Sequence, residues 1–295
     1  MNIRARSLAH ANMVIATLCW GSSWVVARWL HDEMPPVAMS FWRWVIATAV
    51  IAPFAWPYLR RDAAKLRSNW KLLFFLGFVG TTGFSTLGYW GVNYTTATNA
   101  SLLNGALPVL VIGLSALIER AWPTRRIAAG LVLAMGGTAY MVARGEWQTL
   151  AGLQFNKGDL LVLLGMSGWG IYTCALRWRP AGLHPLSFFV VTASIGTLAL
   201  LPFYLWEHAV NPLTIINSHV IAGTLYLALA CSLLAYSCWN AAVAVVGSQT
   251  AGLFNNLVPV FGVVLAVLFL GETPQTYHFI GAALIFLGVA LVSTH

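Results

Sequence analysis

Trp20-Gly21-Ser22-Ser23-Trp24-Val25-Val26-Ala27-Arg28-Trp29 is echoed 149 residues later by Trp169-Gly170-Ile171-Tyr172-Thr173-Cys174-Ala175-Leu176-Arg177-Trp178. Trp20, Gly21, Arg28 and Trp29 recur at the same offset, as Trp169, Gly170, Arg177 and Trp178. Outward from this stretch the same shift pairs Pro36 with Pro185, Ile46 with Ile195, Thr48 with Thr197 and Pro53 with Pro202. A shift of 151 then pairs Ala100 with Ala251, Asn104 with Asn255, Pro108 with Pro259, Gly130 with Gly281 and Gly137 with Gly288. A two-residue slip in an intervening loop joins the registers. Aliphatic matches arise easily in an apolar alphabet, but Trp, Arg, Asn and Pro at fixed offset mark a duplication. The predicted units are residues 1–146 and 147–295.

Charged residues make up 8% of the 295 and apolar ones 59%. A water-facing surface needs roughly 25% charged residues, so a soluble globule is excluded and an integral membrane protein is expected. Apolar runs between charge and turn signals predict ten spans, near 10–30, 36–56, 72–93, 97–118, 126–143, 159–177, 185–206, 220–243, 247–270 and 275–293. Arg60 to Lys71 reads as a basic hinge, and Arg144 to Gly158 as the linker of the halves. With the N-terminus inside, twelve Lys/Arg lie on the cytoplasmic side and two, Arg144 and Lys157, opposite. That bias predicts both ends in the cytoplasm. The formal charge of +8 is scattered at helix ends, which excludes a nucleic-acid surface. Arg4 and Arg6 before an apolar run suggest a signal peptide, but the run is too long and no small-residue cleavage site closes it. The four cysteines fall inside spans without metal-ligand spacing and read as packing residues.

Five helices is an odd number, so the second unit enters the bilayer from the opposite side. The expected fold is all-α, ten transmembrane helices as two inverted five-helix repeats. Such repeats place a solute site near mid-membrane where the units meet; the alternative is a duplicated scaffold with no transport. Trp20-Gly21-Ser22-Ser23, Arg43 within Phe41-Trp42-Arg43-Trp44, Pro108 leading to Glu119, and Pro259 leading to Leu270-Gly271-Glu272 resemble the EamA-type carriers of the drug/metabolite transporter superfamily. The resemblance covers essentially the whole chain. It implies a bacterial inner-membrane exporter of small metabolites, often amino acids. It also implies a central cavity walled by the first four helices of each unit, with the fifth and tenth at the periphery. One departure is Thr192, which stands where the register would repeat Arg43.

Polar residues at bilayer depth are costly unless they face a cavity or a neighbouring helix. Thr82, Ser85, Tyr89 and Asn93 form a stripe on the third span, and Ser232, Tyr236 and Asn240 one on the eighth. Asn99, Ser101 and Asn104 on the fourth answer Gln249, Asn255 and Asn256 on the ninth. Either a shared polar path or interhelical hydrogen bonding explains them. Pro108 and Pro259 read as mid-helix prolines that free the carbonyls of Asn104 and Asn255, as hinges or as fixed kinks. Trp20 and Trp24, with Trp169, Tyr172, Tyr89 and Tyr236, could wall an aromatic cavity. Trp29, Trp44, Trp56, Trp122, Trp147 and Trp206 read as interface-belt residues. Arg43, roughly 10 Å into its helix, is expected to clamp backbone carbonyls or, second, a solute carboxylate. Arg28 reads as snorkelling to the interface.

The expected binding set is therefore Trp20, Trp24, Arg43, Tyr89, Asn93, Asn104, Trp169, Tyr172, Tyr236, Asn240, Asn255 and Asn256. No carboxylate, Lys or His is expected mid-membrane, which argues against proton-coupled export of lipophilic cations. No catalytic motif, metal or cofactor is predicted, and the partners are a small solute and the bilayer, for a monomer or homodimer. The leading reading is export of an amino acid with an apolar or aromatic side chain. Its rivals are uptake or exchange of a quaternary ammonium or other zwitterion, and an intramembrane enzyme.

Overall fold

A computed structural model of the chain describes residues 3–30, 32–83, 86–87, 91, 94–95, 99, 103–212 and 215–293. Among these residues the secondary structure is helical, with no strand. The helices are α1 (Ile3–Trp29), α2 (Pro36–Ser68), α3 (Trp70–Gly77), α4 (Leu107–Ile118), α5 (Arg125–Val142) and the short α6 (Trp147–Ala151). There follow α7 (Lys157–Ala175), α8 (Pro185–Val210), α9 (Ser218–Tyr226), α10 (Ala235–Phe254), α11 (Leu257–Leu270) and α12 (Thr276–Ser293). Two π segments interrupt the series, Phe78–Gly83 after α3 and Leu227–Leu234 between α9 and α10. Five helical stretches among the described residues are long and apolar enough to cross a bilayer: Pro36–Ser68, Lys157–Trp178, Pro185–Val210, Ser218–Phe254 and Thr276–Ser293.

The helix ends follow from sequence. Pro36 and Pro185 open α2 and α8, where a missing N–H costs nothing. Asn156 and Asp159 form a capping box at α7, Asn217 caps α9 and Thr124 caps α5. The expected hinge at 60–71 is instead mostly helix. Asp62-Ala63-Ala64-Lys65-Leu66 contains no breaker, so α2 runs 33 residues. That is about 50 Å at 1.5 Å per residue, against a hydrocarbon core of about 30 Å, so its basic last turns stand outside the core.

The two prolines expected in mid-helix lie in first turns. The chain turns at Ala106 and again at Asn255–Asn256, and Pro108 and Pro259 then sit at the starts of α4 and α11. Proline is tolerated there because the first N–H groups of a helix have no intrahelical acceptor. The Asn255 carbonyl is not left free; it accepts from Val258 N at 3.1 Å.

A sharper break lies at Gly247, where φ is 82° and ψ 167° within α10. This backbone region is essentially restricted to glycine. A Cβ at Gly247 would meet nothing within 4 Å, so the penalty for a side chain is purely conformational. Gly247→Ala is expected to lower stability by about 1–3 kcal/mol, read as a lower unfolding temperature in detergent.

Helices of the first half pack mainly against helices of the second: α2 on α8, α5 on α12, α1 on α10 and α11, and α4 on α7. The contacts are reciprocal. A methyl on Gly130 would lie 2.7 Å from the Gly288 carbonyl, and one on Gly288 would lie 2.5 Å from the Gly130 carbonyl. Gly137 and Gly281 face each other in the same way, at 2.5 and 2.7 Å. The pairs 130/288 and 137/281 run in opposite directions, so α5 and α12 are antiparallel, with backbones as close as small residues allow. Across α2 and α8, Glu207 near the end of α8 accepts from Val37 N (3.1 Å) and Ala38 N (2.7 Å). Asp62 near the end of α2 accepts from His184 N (2.9 Å) at the start of α8. Each carboxylate thereby satisfies orphan amides at the other helix's N-terminus.

Candidate functional site

At the centre of the bundle, rings from both halves converge. Trp20 of α1 meets Trp169 of α7 edge-on at 5.2 Å, and Tyr236 and Trp239 of α10 at 5.7 and 5.1 Å. Trp169 lies 5.3 Å from Tyr172 and 5.3 Å from Tyr236. Trp44 of α2 meets Tyr236 edge-on at 4.7 Å and Phe189 of α8 at 6.2 Å. Edge-to-face geometry sets the positive rim of one ring against the negative face of the next.

The π segments build the polar part of this centre. They occupy corresponding places in the two halves, and each replaces the i→i+4 ladder with a wider turn. The Ser232 hydroxyl, for example, donates to Leu227 O five residues back, at 3.0 Å. One carbonyl in each segment receives an aromatic donor: Tyr236 Oη donates to Gly80 O at 3.2 Å, and Trp20 Nε1 to Cys231 O at 3.0 Å. Gly80 and Cys231 are themselves counterparts at the 151-residue shift. Tyr172 Oη donates to Asn240 Oδ1 at 2.9 Å. Between these groups lies a cavity lined by Trp44, Thr81, Tyr172, Thr192, Tyr236 and Asn240 with the apolar Leu76, Phe189 and Ala193. The cavity is small, with room for about one water molecule.

Of the residues expected to bind, the structure brings Trp20, Trp169, Tyr172, Tyr236 and Asn240 together here. Trp24 is elsewhere, 56% exposed one turn further along α1. Asn256 is buried against α5, where its Oδ1 accepts from Thr138 at 3.1 Å, and this bond ties helices together. Asn255 is buried, its Nδ2 without a partner among the described residues, and Asn104 is half-buried; neither lines the cavity. Tyr89 and Asn93, with Ser85 and Ser101, lie outside the described residues. The 3.6-residue stripe also misplaced the third span: Thr82 donates to Gly196 O of α8 at 2.8 Å, while Thr81 faces the cavity, because the π segment shifts the register. Arg43 is half-buried, its guanidinium 5.6 Å from the Trp44 ring centre, and its Nε has no partner among the described residues.

Sequence reading missed Trp44, Trp239, Phe189, Thr81 and Thr192. Trp44 is the clearest correction, since a belt residue would be exposed and Trp44 is 1% exposed. A usable signal was its position two turns inside the helix, next to Arg43, rather than at the end.

The two ends of the bundle are tied by pairs that cross between halves. Arg28 is ion-paired to Glu272 at 2.7 Å, so it has a partner where a snorkelling arginine was expected. Arg177, its counterpart, reaches Glu119 at 3.6 Å. Glu119 also accepts from Ser248 Oγ at 2.5 Å, and the Gln249 amide donates to the Ala121 carbonyl. Arg28–Glu272 is exposed, and such pairs contribute little, about 0–1 kcal/mol.

The EamA-like transporter family matches this chain twice, over residues 7–143 and 156–294. A protein of Archaeoglobus fulgidus named as an uncharacterized transporter is 29% identical, over 97% of this chain and 98% of its own. A protein of Streptantibioticus cattleyicolor named "probable terminal-alkyne amino-acid exporter" is 28% identical, over 95% of this chain and 92% of its own. A solved crystal structure shares the fold at a TM-score of 0.80 with 20% identity, covering 97% of this chain and 96% of that one. With its several bilayer-length helices and two matched copies, the chain is a membrane transporter of small molecules and belongs to the EamA-like transporter family.

Proposed function

We propose that this transporter exports amino acids with apolar or aromatic side chains, by alternating access around the central aromatic cavity. The protein would sit in a bacterial inner membrane with both termini cytoplasmic, as ten spans in two inverted repeats, residues 1–146 and 147–295. The observation that carries the solute class is the ring cluster: Trp20 and Trp44 from the first half, and Trp169, Tyr172, Phe189, Tyr236 and Trp239 from the second, around the amide of Asn240. Such a wall suits an apolar or aromatic side chain. The antiparallel glycine contacts of α5 and α12 and the reciprocal caps of α2 and α8 support the inverted arrangement. The name of the Streptantibioticus relative supports an amino-acid cargo.

In this mechanism the solute site remains central while the seams at the two ends open alternately. The packing of α1 with α10 and α11, and of α4 with α7, makes each moving body a mixture of both halves. The seam of Glu119 with Ser248, and of Gln249 with Ala121, closes the cytoplasmic end, and Pro108 and Pro259 start the helices that flank it. Because α5 covers the small-residue face of α12, no second copy is needed to bury it, which supports a monomer.

Purified protein in liposomes tests the reading. Countertransport of labelled Phe or Trp is expected. Flux of choline or betaine without amino-acid flux would replace it with the quaternary-ammonium reading, and turnover of a lipid-linked substrate without any flux would replace transport with catalysis. Ser248→Ala is expected to loosen the cytoplasmic seam by about 1 kcal/mol, the worth of a typical hydrogen bond. The measurement is the labelling rate of a cysteine introduced near the cavity, which should rise from the cytoplasmic side.

A further inference from the structure

We infer that the central cavity recognises its solute by a carboxylate group and does not require the solute's amino group. This rests on the transport reading above and narrows its cargo.

Three unsatisfied N–H donors lie at or around the centre. Trp44 is 1% exposed and lines the cavity, and its Nε1–H has no partner among the described residues. Trp239, fully buried beside Trp20 and Trp169, carries a second indole N–H without a partner among them. Beside Trp44, the Arg43 guanidinium holds a third, at Nε, and Arg43 pairs with no carboxylate among the described residues. Buried N–H groups are nearly always paired in folded proteins, so the Trp44 N–H at the cavity, with those of Arg43 beside it and Trp239 in the surrounding ring cluster, marks a place for an acceptor.

Three acceptors of the same centre each already hold a donor. Asn240 Oδ1 takes the Tyr172 hydroxyl, the Gly80 carbonyl takes that of Tyr236, and the Cys231 carbonyl takes the Trp20 indole. Among the described residues, no Asp or Glu lines the cavity. An ammonium group has N–H donors and a positive charge; it would face more donors and the Arg43 charge. A carboxylate has only acceptors and a negative charge, and matches both. The space beside Trp44 is of water size, so the carboxylate would anchor there while the apolar body displaces rings as the cavity opens.

The inference separates compounds that share a phenyl body. Binding to purified protein would be measured by calorimetry for phenylalanine, 3-phenylpropionate (no amino group) and phenethylamine (no carboxylate), alongside Phe countertransport. The acid is expected to bind within about threefold of phenylalanine, and the amine at least about tenfold more weakly, the worth of one charge-assisted hydrogen bond. Trp44→Phe keeps the ring and removes the donor; it should weaken both carboxylates about tenfold. Arg43→Gln should weaken both carboxylates and leave the amine no weaker. Phe flux with tight phenethylamine and weak 3-phenylpropionate would overturn this inference alone. Absence of both Phe flux and binding of all three compounds would overturn the transport reading with it.

Discussion

Gly137→Leu is expected to destabilise the protein by about 3 kcal/mol or more, because the new side chain has no space to enter. Its Cβ would fall 2.5 Å from the Gly281 carbonyl and 2.9 Å from Leu284 Cβ. The nearest obstacle is backbone, which cannot rotate away as a side-chain tip could. α5 and α12 would have to separate, and with them the close packing that holds them in a solvent offering no hydrophobic drive. Gly136→Leu is the matched control. A Cβ there meets nothing within 4 Å, so leucine's better helix propensity should leave stability unchanged or raise it by up to about 1 kcal/mol. Thermal unfolding of the two variants in detergent provides the comparison.

Trp20→Ala carries the second large effect. Trp20 touches Trp169, Tyr236 and Trp239, and its indole donates to Cys231 O in the second π segment. Removing it opens a void among three rings and leaves one freed carbonyl without its donor, for a cost of about 3 kcal/mol or more. Transport should fall below detection, since Tyr236 of the cavity wall loses the α1 ring packed against it. Trp20→Phe should retain much of the packing and lose about 1 kcal/mol with the hydrogen bond. Trp24→Ala, four residues away on the exposed side, should cost no more than about 0.5 kcal/mol and leave transport intact. Unfolding and Phe countertransport measured on the same preparations would separate a structural loss from a functional one.

Trp20 and Trp24 also show where sequence reading stops. Their spacing placed both on one helical face, and composition could not say which way each tryptophan looks. Packing divides them, because Gly21 brings α1 against Phe261 and Val258 of α11, which turns Trp20 inward. Trp44 was misread for the converse reason: tryptophans are enriched at membrane interfaces, and one near a helix start inherits that expectation. The π segments are harder still. Phe78–Gly83 mixes glycine and threonine with two apolar residues and Leu227–Leu234 is almost wholly apolar, so no shared composition signals the wider turn that exchanges Thr82 for Thr81 at the cavity. Glycine and repeat arguments did better. Gly130, Gly137, Gly281 and Gly288 were legible as a matched set from the 151-residue shift. Their pairing, 130 with 288 rather than with 281, required the fold.

The central claim is that two copies of one bundle face opposite sides of the membrane. Single cysteines at Arg67 and Gln148, in a background without the four native cysteines, would be exposed in intact cells to a membrane-impermeant maleimide. Residue 148 should label in intact cells, and residue 67 only after the membrane is permeabilised. Labelling of both from the same side would contradict the inverted arrangement and the alternating mechanism built on it.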